Sequence, residues 1–228
     1  MVPLPKWVWV GGVSLSTVAG LINGICFMGV SHQVVSHLTG STSLLGLAIA
    51  QGDWASMAFL WSILIAFCAG ATLSGLLIKD SALQLGQRYG QVLLIEAALI
   101  VACIPLLERG SGWGIALAAM ACGLQNAMAT TYSGSLLRTT HLTGMFTDLG
   151  IGLGQLLRGQ PLPYRRLTLS GMVITGFLCG SIGGGLLFAP LHYAALYMPA
   201  AIVGLTGVAY LLYGALLKAR SGQMPSSD

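Results

Sequence analysis

The tetrapeptide His-Leu-Thr-Gly occurs twice in this chain, at His37 to Gly40 and at His141 to Gly144, each time opening a short apolar stretch. Such an opening can bind a ligand. The first N–H groups of a helix lack intrahelical partners and carry about half a positive charge, and glycine lets a solute approach them. Thr39, Gly40, Ser41 and Thr42 in one copy, and Thr143, Gly144 and Thr147 in the other, would present backbone and hydroxyl groups to a small polar or anionic solute. The competing reading is that the threonines only cap helices. His37 and His141 stand beside the two mouths, where an imidazole could titrate near neutral pH or serve as a hydrogen-bonded structural group. Asn23, Gln125 and Asn126 lie in apolar segments upstream and would either face the solute or bond irregular backbone beside them.

A carboxylate inside an apolar segment is costly and by default marks a pathway or proton relay. Asp148, in the first turns of the second short stretch, is therefore the expected coupling or gating group. Its structural alternative is compensation of the helix dipole or a hydrogen bond to the opposite loop. The matching position in the first copy is Leu44, so the charge sits on one side only. Glu96 is the second coupling candidate, or else it pairs with a base such as Arg88. No nucleophile–base pair, zinc spacing or phosphate loop is present, so neither an enzyme nor a metal or cofactor is expected.

These residues must be positioned by membrane helices. Of the 228 residues, 55% are hydrophobic and 7% charged, against roughly 25% charged in a soluble domain. A barrel would show alternating ten-residue segments instead. Six segments are long enough to span, at about 8–29, 54–78, 91–107, 112–134, 169–188 and 194–217. Two are not. Leu38 to Gln51 and Leu142 to Leu157 would extend only ~21–24 Å as helices, and each follows a polar, weakly helical stretch, 31–36 and 133–140.

The echo between the halves extends beyond the tetrapeptide. Gly20-Leu21-Ile22-Asn23 matches Gly123-Leu124-Gln125-Asn126, Gly46 and Gln51 match Gly150 and Gln155, and Phe67, Gly70 and Gly75 match Phe177, Gly180 and Gly185. One transmembrane domain over 1–220 is expected, with repeat 1 at about 8–108, repeat 2 at about 112–218 and a disordered tail at 221–228.

Basic residues decide between topologies. If all eight segments span, Lys79, Arg88 and Arg138 fall outside; if the two short ones enter and leave on one side, Arg109 alone does. The positive-inside rule favours the second arrangement. Each unit then has an odd number of spans, so the second is inverted relative to the first, and the N-termini of the two half-helices can approach each other near the midplane. The five cysteines, all in apolar segments, are expected to be free and buried. Trp7, Trp9, Trp54, Trp113, Tyr164 and Tyr193 are expected as interface anchors. The first apolar run reads as a retained helix rather than a signal peptide, and the net charge of +4 reflects loops between membrane segments rather than nucleic-acid binding.

The motifs Gly20 to Asn23, His37 to Thr42, Gly123 to Ala127 and Thr143 to Gly150 resemble the membrane family known as YoaK or DUF1275, over nearly the whole chain. The first half departs from the family pattern, with Asn23 where aspartate is usual and Ser41 where asparagine is usual. The resemblance implies a multi-pass membrane protein and brings no agreed substrate; if that aspartate couples protons or cations in relatives, this chain lacks the step.

The expectation is thus an all-α inverted-repeat bundle of six spanning helices and two re-entrant half-helices in the bacterial inner membrane, with both termini cytoplasmic. It would be a small transporter, with a passive pore or a non-transporting scaffold as alternatives and a homodimer as the expected assembly. Single cysteines replacing Asp53 and Tyr164, in a background without native cysteines, should label from opposite faces of the membrane. Labelling of position 53 from the cytoplasm would restore the eight-span arrangement.

Overall fold

In lipid a helix satisfies its own backbone, and every regular element among the described residues is helical. The computed structural model describes residues 6–29, 34–78, 87–133, 138–162 and 164–221. It comprises α1 (Lys6–Met28), α2 (Leu38–Gln51), α3 (Trp54–Leu77), α4 (Gln87–Glu108), α5 (Gly112–Tyr132), α6 (Leu142–Leu157), α7 (Tyr164–Leu191), a 3-10 turn (His192–Leu196) and α8 (Tyr197–Ser221). Parts of the two polar stretches before α2 and α6, the loop with Lys79 and Asp80, and tail residues 222–228 lie outside the described residues.

Among the described residues, four stretches are long and apolar enough to cross a membrane: Trp7–Met28, Trp54–Leu77, Arg88–Glu108 and Tyr164–Leu216. The last has 53 residues, which as one helix would extend ~80 Å against a hydrocarbon core of ~30 Å. It folds back at His192, whose φ of 48° breaks the helix between α7 and α8. α5 falls outside this set and carries Gln125 and Asn126. α4 and α7 begin earlier than the expected spans, because Arg88 and Arg165 are polar yet helical. Hydropathy marks the part of a helix in the bilayer, whereas the helix itself continues into the interface.

Local signals set the ends. Asp53 caps α3 by accepting from Ser56 N at 3.1 Å, and hydrogen bonds from the Ser56 side chain and backbone hold its carboxyl below the ordinary carboxylate value. Gly52, Gly110 and Gly159 take positive φ after α2, α4 and α6. At the second of these, Gly110 N and Ser111 N donate to the carbonyls of Leu107 and Leu106, both at 2.9 Å, so α4 and α5 form a tight hairpin.

The most extensive helix contacts are α1 with α7 and α3 with α5. Both are made by glycines against backbone. A methyl group on Gly20 would collide with the Phe177 carbonyl, and one on Gly180 with the Thr17 carbonyl; likewise Gly123 lies against the Phe67 carbonyl and Gly70 against that of Met120. Gly176, Gly180 and Gly184 meet Val13, Thr17 and Leu21 in turn, so α1 and α7 run parallel, as do α3 and α5, where Phe59 meets Gly112 and Phe67 meets Gly123. α4 and α8 cross antiparallel: a methyl on Gly90 would lie 2.8 Å from the Gly207 oxygen and one on Gly207 2.9 Å from the Gly90 oxygen, with Gly204 against Ala97. The end of α5 meets the start of α1 through Tyr132 and Val8. α1, α4 and α7 therefore run one way and α3, α5 and α8 the other.

The short helices are peripheral. α2 packs on α3 through Leu45, Ala48 and Leu60, and α6 packs on α7, where Gly152 receives Leu167 and Ser170 Oγ donates to Met145 Sδ at 3.3 Å. All five cysteines are free, but only Cys26, Cys103 and Cys122 are buried; Cys68 and Cys179 are exposed on the outer faces of α3 and α7. Of the expected interface aromatics, Trp54, Trp113 and Tyr164 are exposed, whereas Tyr193 is buried with its ring over Gly29.

Gly20→Val and Gly123→Val should each lower stability by about 1–3 kcal/mol or more through overpacking, read as a lower melting temperature in detergent. Gly75→Val, at a position with nothing within 4 Å, should leave it unchanged.

Candidate functional site: a tyrosine-lined cavity

A cavity of about 330 Å³ opens between α1, α4, α5 and α8. α1 contributes Trp7, Gly11, Ser14 and Val18, α4 Tyr89 and Leu93, α5 Met128 and Tyr132, and α8 Thr206 and Tyr210. Trp7 and Tyr132 have ring centroids 5.7 Å apart, and Tyr89 meets Tyr132 edge to face at 6.3 Å. Tyr132 Oη donates to Val8 O at 3.5 Å, fixing this ring where α5 ends and α1 begins. No charged side chain is among the described lining residues. The cavity therefore suits a small solute with an apolar or aromatic body, offered hydroxyls by tyrosine, Ser14 and Thr206.

The cavity exists because α1 and α8 touch only briefly, whereas α4 and α5 pack along their length. Gly114 near the start of α5 is filled by Leu107 of α4, whose Cγ a methyl group there would meet at 2.6 Å. Gly11, at the corresponding place in α1 when Gly20 is matched to Gly123, has Tyr132 Oη as its nearest neighbour and lines the cavity.

The residues of the two His-Leu-Thr-Gly motifs are not brought together within the chain. α2 touches α3 and α6 touches α7, with no contact between α2 and α6 among the described residues. Their hydroxyls bond their own helices: Thr42 Oγ1 donates to Leu38 O at 2.7 Å, Ser41 Oγ to His37 O at 3.3 Å and Thr147 Oγ1 to Thr143 O at 2.9 Å. Thr39 and Thr143 are exposed. His37 and His141 are exposed N-caps, each with its ring over its own glycine, Gly40 or Gly144. The glycine of the motif leaves room for that ring.

The amides serve the segments before the short helices. Asn23 Oδ1 accepts from Ser36 N and Ser36 Oγ, both at 3.1 Å, while its Nδ2 donates to Ala19 O at 2.7 Å. Gln125 Oε1 accepts from Thr139 Oγ1 at 3.2 Å. Asn126 Oδ1 is buried without a hydrogen-bond partner. Asp148 pairs with Arg166 at 2.5 Å on the flank of α6 and α7; the aspartate side chain is 17% exposed and the arginine 62%. Glu96 lies fully buried in α4, away from Arg88, which donates to Leu77 O at 3.3 Å. Among the described residues no group of three or more His, Cys, Asp or Glu could hold a metal ion.

Sequence reasoning places Trp7 at the interface and passes over Tyr89, Tyr132 and Tyr210, because tyrosine near a span end is ordinarily an anchor. The signal available was the stripe each belongs to. Tyr89, Leu93 and Glu96 share one face of α4, and Gln125, Met128 and Tyr132 one face of α5. A polar residue in mid-span on the same face as a tyrosine points that face into the bundle.

Residues 11–209 match the model of a family described as "Protein of unknown function (DUF1275)". No curated protein and no solved structure matches the chain.

Asn23→Leu should leave the Ser36 amide and hydroxyl without their acceptor, at a cost of about 1–3 kcal/mol. Hydrogen exchange should rise at Ser36 and Ser41 while the α4–α8 contact stays protected; unchanged exchange would remove Asn23 as the clamp.

Proposed function

The chain belongs to the DUF1275 family, whose description names no activity, and on that premise we propose a small inverted-repeat membrane transporter that carries a small solute, with an apolar or aromatic body and groups that bond hydroxyls, through the tyrosine-lined cavity. The observation that carries this reading is an asymmetry within a symmetric set of contacts. Gly20 and Gly180 do for α1 and α7 what Gly123 and Gly70 do for α5 and α3. By that correspondence, the close α4–α5 contact has the α8–α1 pair as its mate, and there the cavity lies. Two equivalent gates, one shut and one open, are what alternating access about an inverted repeat requires.

Helix directions support re-entrant half-helices. α3 runs opposite to α1, and α7 opposite to α5; had α2 or α6 crossed completely, its flanking helices would run the same way. With nine of the ten basic residues assigned to the cytoplasm, both termini lie inside and the cavity faces the cytoplasm. α2 and α6 then lie in the membrane as flanking elements. Their outer faces, with Gly46 and Gly150 in open space, are available to lipid or to the second copy of a homodimer.

Cysteines replacing Ser14 and Thr206, in a background without native cysteines, should react with a membrane-impermeant thiol reagent from the cytoplasmic side only. Tyr132→Ala should abolish saturable uptake in proteoliposomes at unchanged protein insertion. Reaction from both sides, or unsaturable conductance, would select a passive pore; no flux of any solute that shifts the melting temperature would leave a scaffold.

A further inference from the structure

Glu96 is 0% exposed, and neither carboxyl oxygen has a hydrogen-bond partner among the described residues. A carboxyl group left so in hydrocarbon is expensive to keep and marks a functional site by default. Its polar neighbour across the α4–α5 contact is the side-chain amide of Gln125, also fully buried, which interacts with the carboxyl without meeting hydrogen-bond geometry; its Nε2 has no other partner among the described residues, while Oε1 is engaged by Thr139. Leu93 stands one turn before Glu96 and Met128 one turn after Gln125, each on the same helix face, and in this antiparallel pair both line the cavity. The two groups therefore lie one helical turn beyond the cavity's inner end.

We propose that Glu96 is a proton-binding site served from the tyrosine-lined cavity, with Gln125 as the positioning residue that links its occupancy to the segment before α6. The proposal rests on the transporter reading for its purpose alone, since proton binding needs no solute. In the step, a hydronium ion in the cavity loses one O–H bond and becomes water, an O–H bond forms at a Glu96 carboxylate oxygen, and the negative charge is discharged; release reverses it. A divalent cation does not fit, because one carboxyl and one amide fall far short of the roughly six to eight oxygens such ions take.

The protonated acid is a donor as well as an acceptor. Its O–H competes with Thr139 for Gln125 Oε1, which couples the proton to the segment that precedes His141 and α6. The titratable neighbour on α5 is Cys122, with Cys103 of α4 and Cys26 of α1 beside it. α3, α5 and the 3-10 turn contain no Asp, Glu, Lys or Arg; the turn brings His192 and Tyr193, and α8 brings Tyr210 and Tyr213, with Lys218 and Arg220 near its C-terminal end.

Infrared difference spectra of the full chain in liposomes, taken between pH steps, test this through the C=O stretch of the protonated carboxyl. The wild type should show a pH-dependent band that Glu96→Gln removes and Asp148→Asn leaves in place. Gln125→Leu should move the frequency of that band, an effect that a merely structural role would not produce. A bulky maleimide on Ser14→Cys should slow its appearance after a pH jump severalfold. A band that survives Glu96→Gln, one that Gln125→Leu does not shift, or a rate indifferent to the plug would overturn the proposal, whatever the outcome of the uptake measurements.

Discussion

Everything in this bundle depends on how closely two helix backbones can approach. Between helices in lipid, burying an apolar side chain gains little, since the acyl chains it leaves are equally apolar; association comes from close packing and interhelical hydrogen bonds. Gly20, Gly180, Gly70 and Gly123 supply that approach, each set against a main-chain carbonyl of the facing helix. The pairs α1–α7 and α3–α5 are therefore the stiff units. The α4–α8 crossing at Gly90 and Gly207 is narrow by comparison, and the cavity lies beside it.

Polar groups follow a different economy. Hydroxyls on α2 and α6 return to carbonyls of their own helix, a common resort of serine and threonine in apolar surroundings. Asn23 and Gln125 fasten the irregular segments beside them, the first through the Ser36 amide and the second through the Thr139 hydroxyl. Glu96 is the acidic exception among the described residues. It has no such structural duty, and that separates it from Asp148, whose charge Arg166 already answers.

Much of this was legible from residue types alone. Apolar length gave the long helices, the polar breaks before Leu38 and Leu142 gave the short ones, and the matched glycines Gly70 and Gly180 are the ones that touch backbone. Gly75 and Gly185, equally matched, face open space, because a glycine's spacing does not reveal which side of its helix meets a neighbour. The ion pair of Asp148 with Arg166 and the convergence of Trp7, Tyr89, Tyr132 and Tyr210 were beyond reach for a related reason. Both depend on how separate helices are rotated about their axes, which is fixed by the whole packing rather than by any one segment. The His-Leu-Thr-Gly motif is plain in the sequence, yet its histidine lies over its own glycine, a local use that looks the same in sequence as a binding mouth.

The break at His192 has a bearing on how the chain is made. A non-glycine residue at φ 48° is uncommon, and here aromatic contacts hold it, with Phe188 5.4 Å from the His192 ring and 5.5 Å from that of Tyr193. The linker it creates is a single short turn with no charged residue. α7 and α8 consequently have no polar loop on which the insertion machinery could pause between them. They must enter the bilayer as one hairpin, in a single event, and only then can α7 close against α1, which precedes it in the chain.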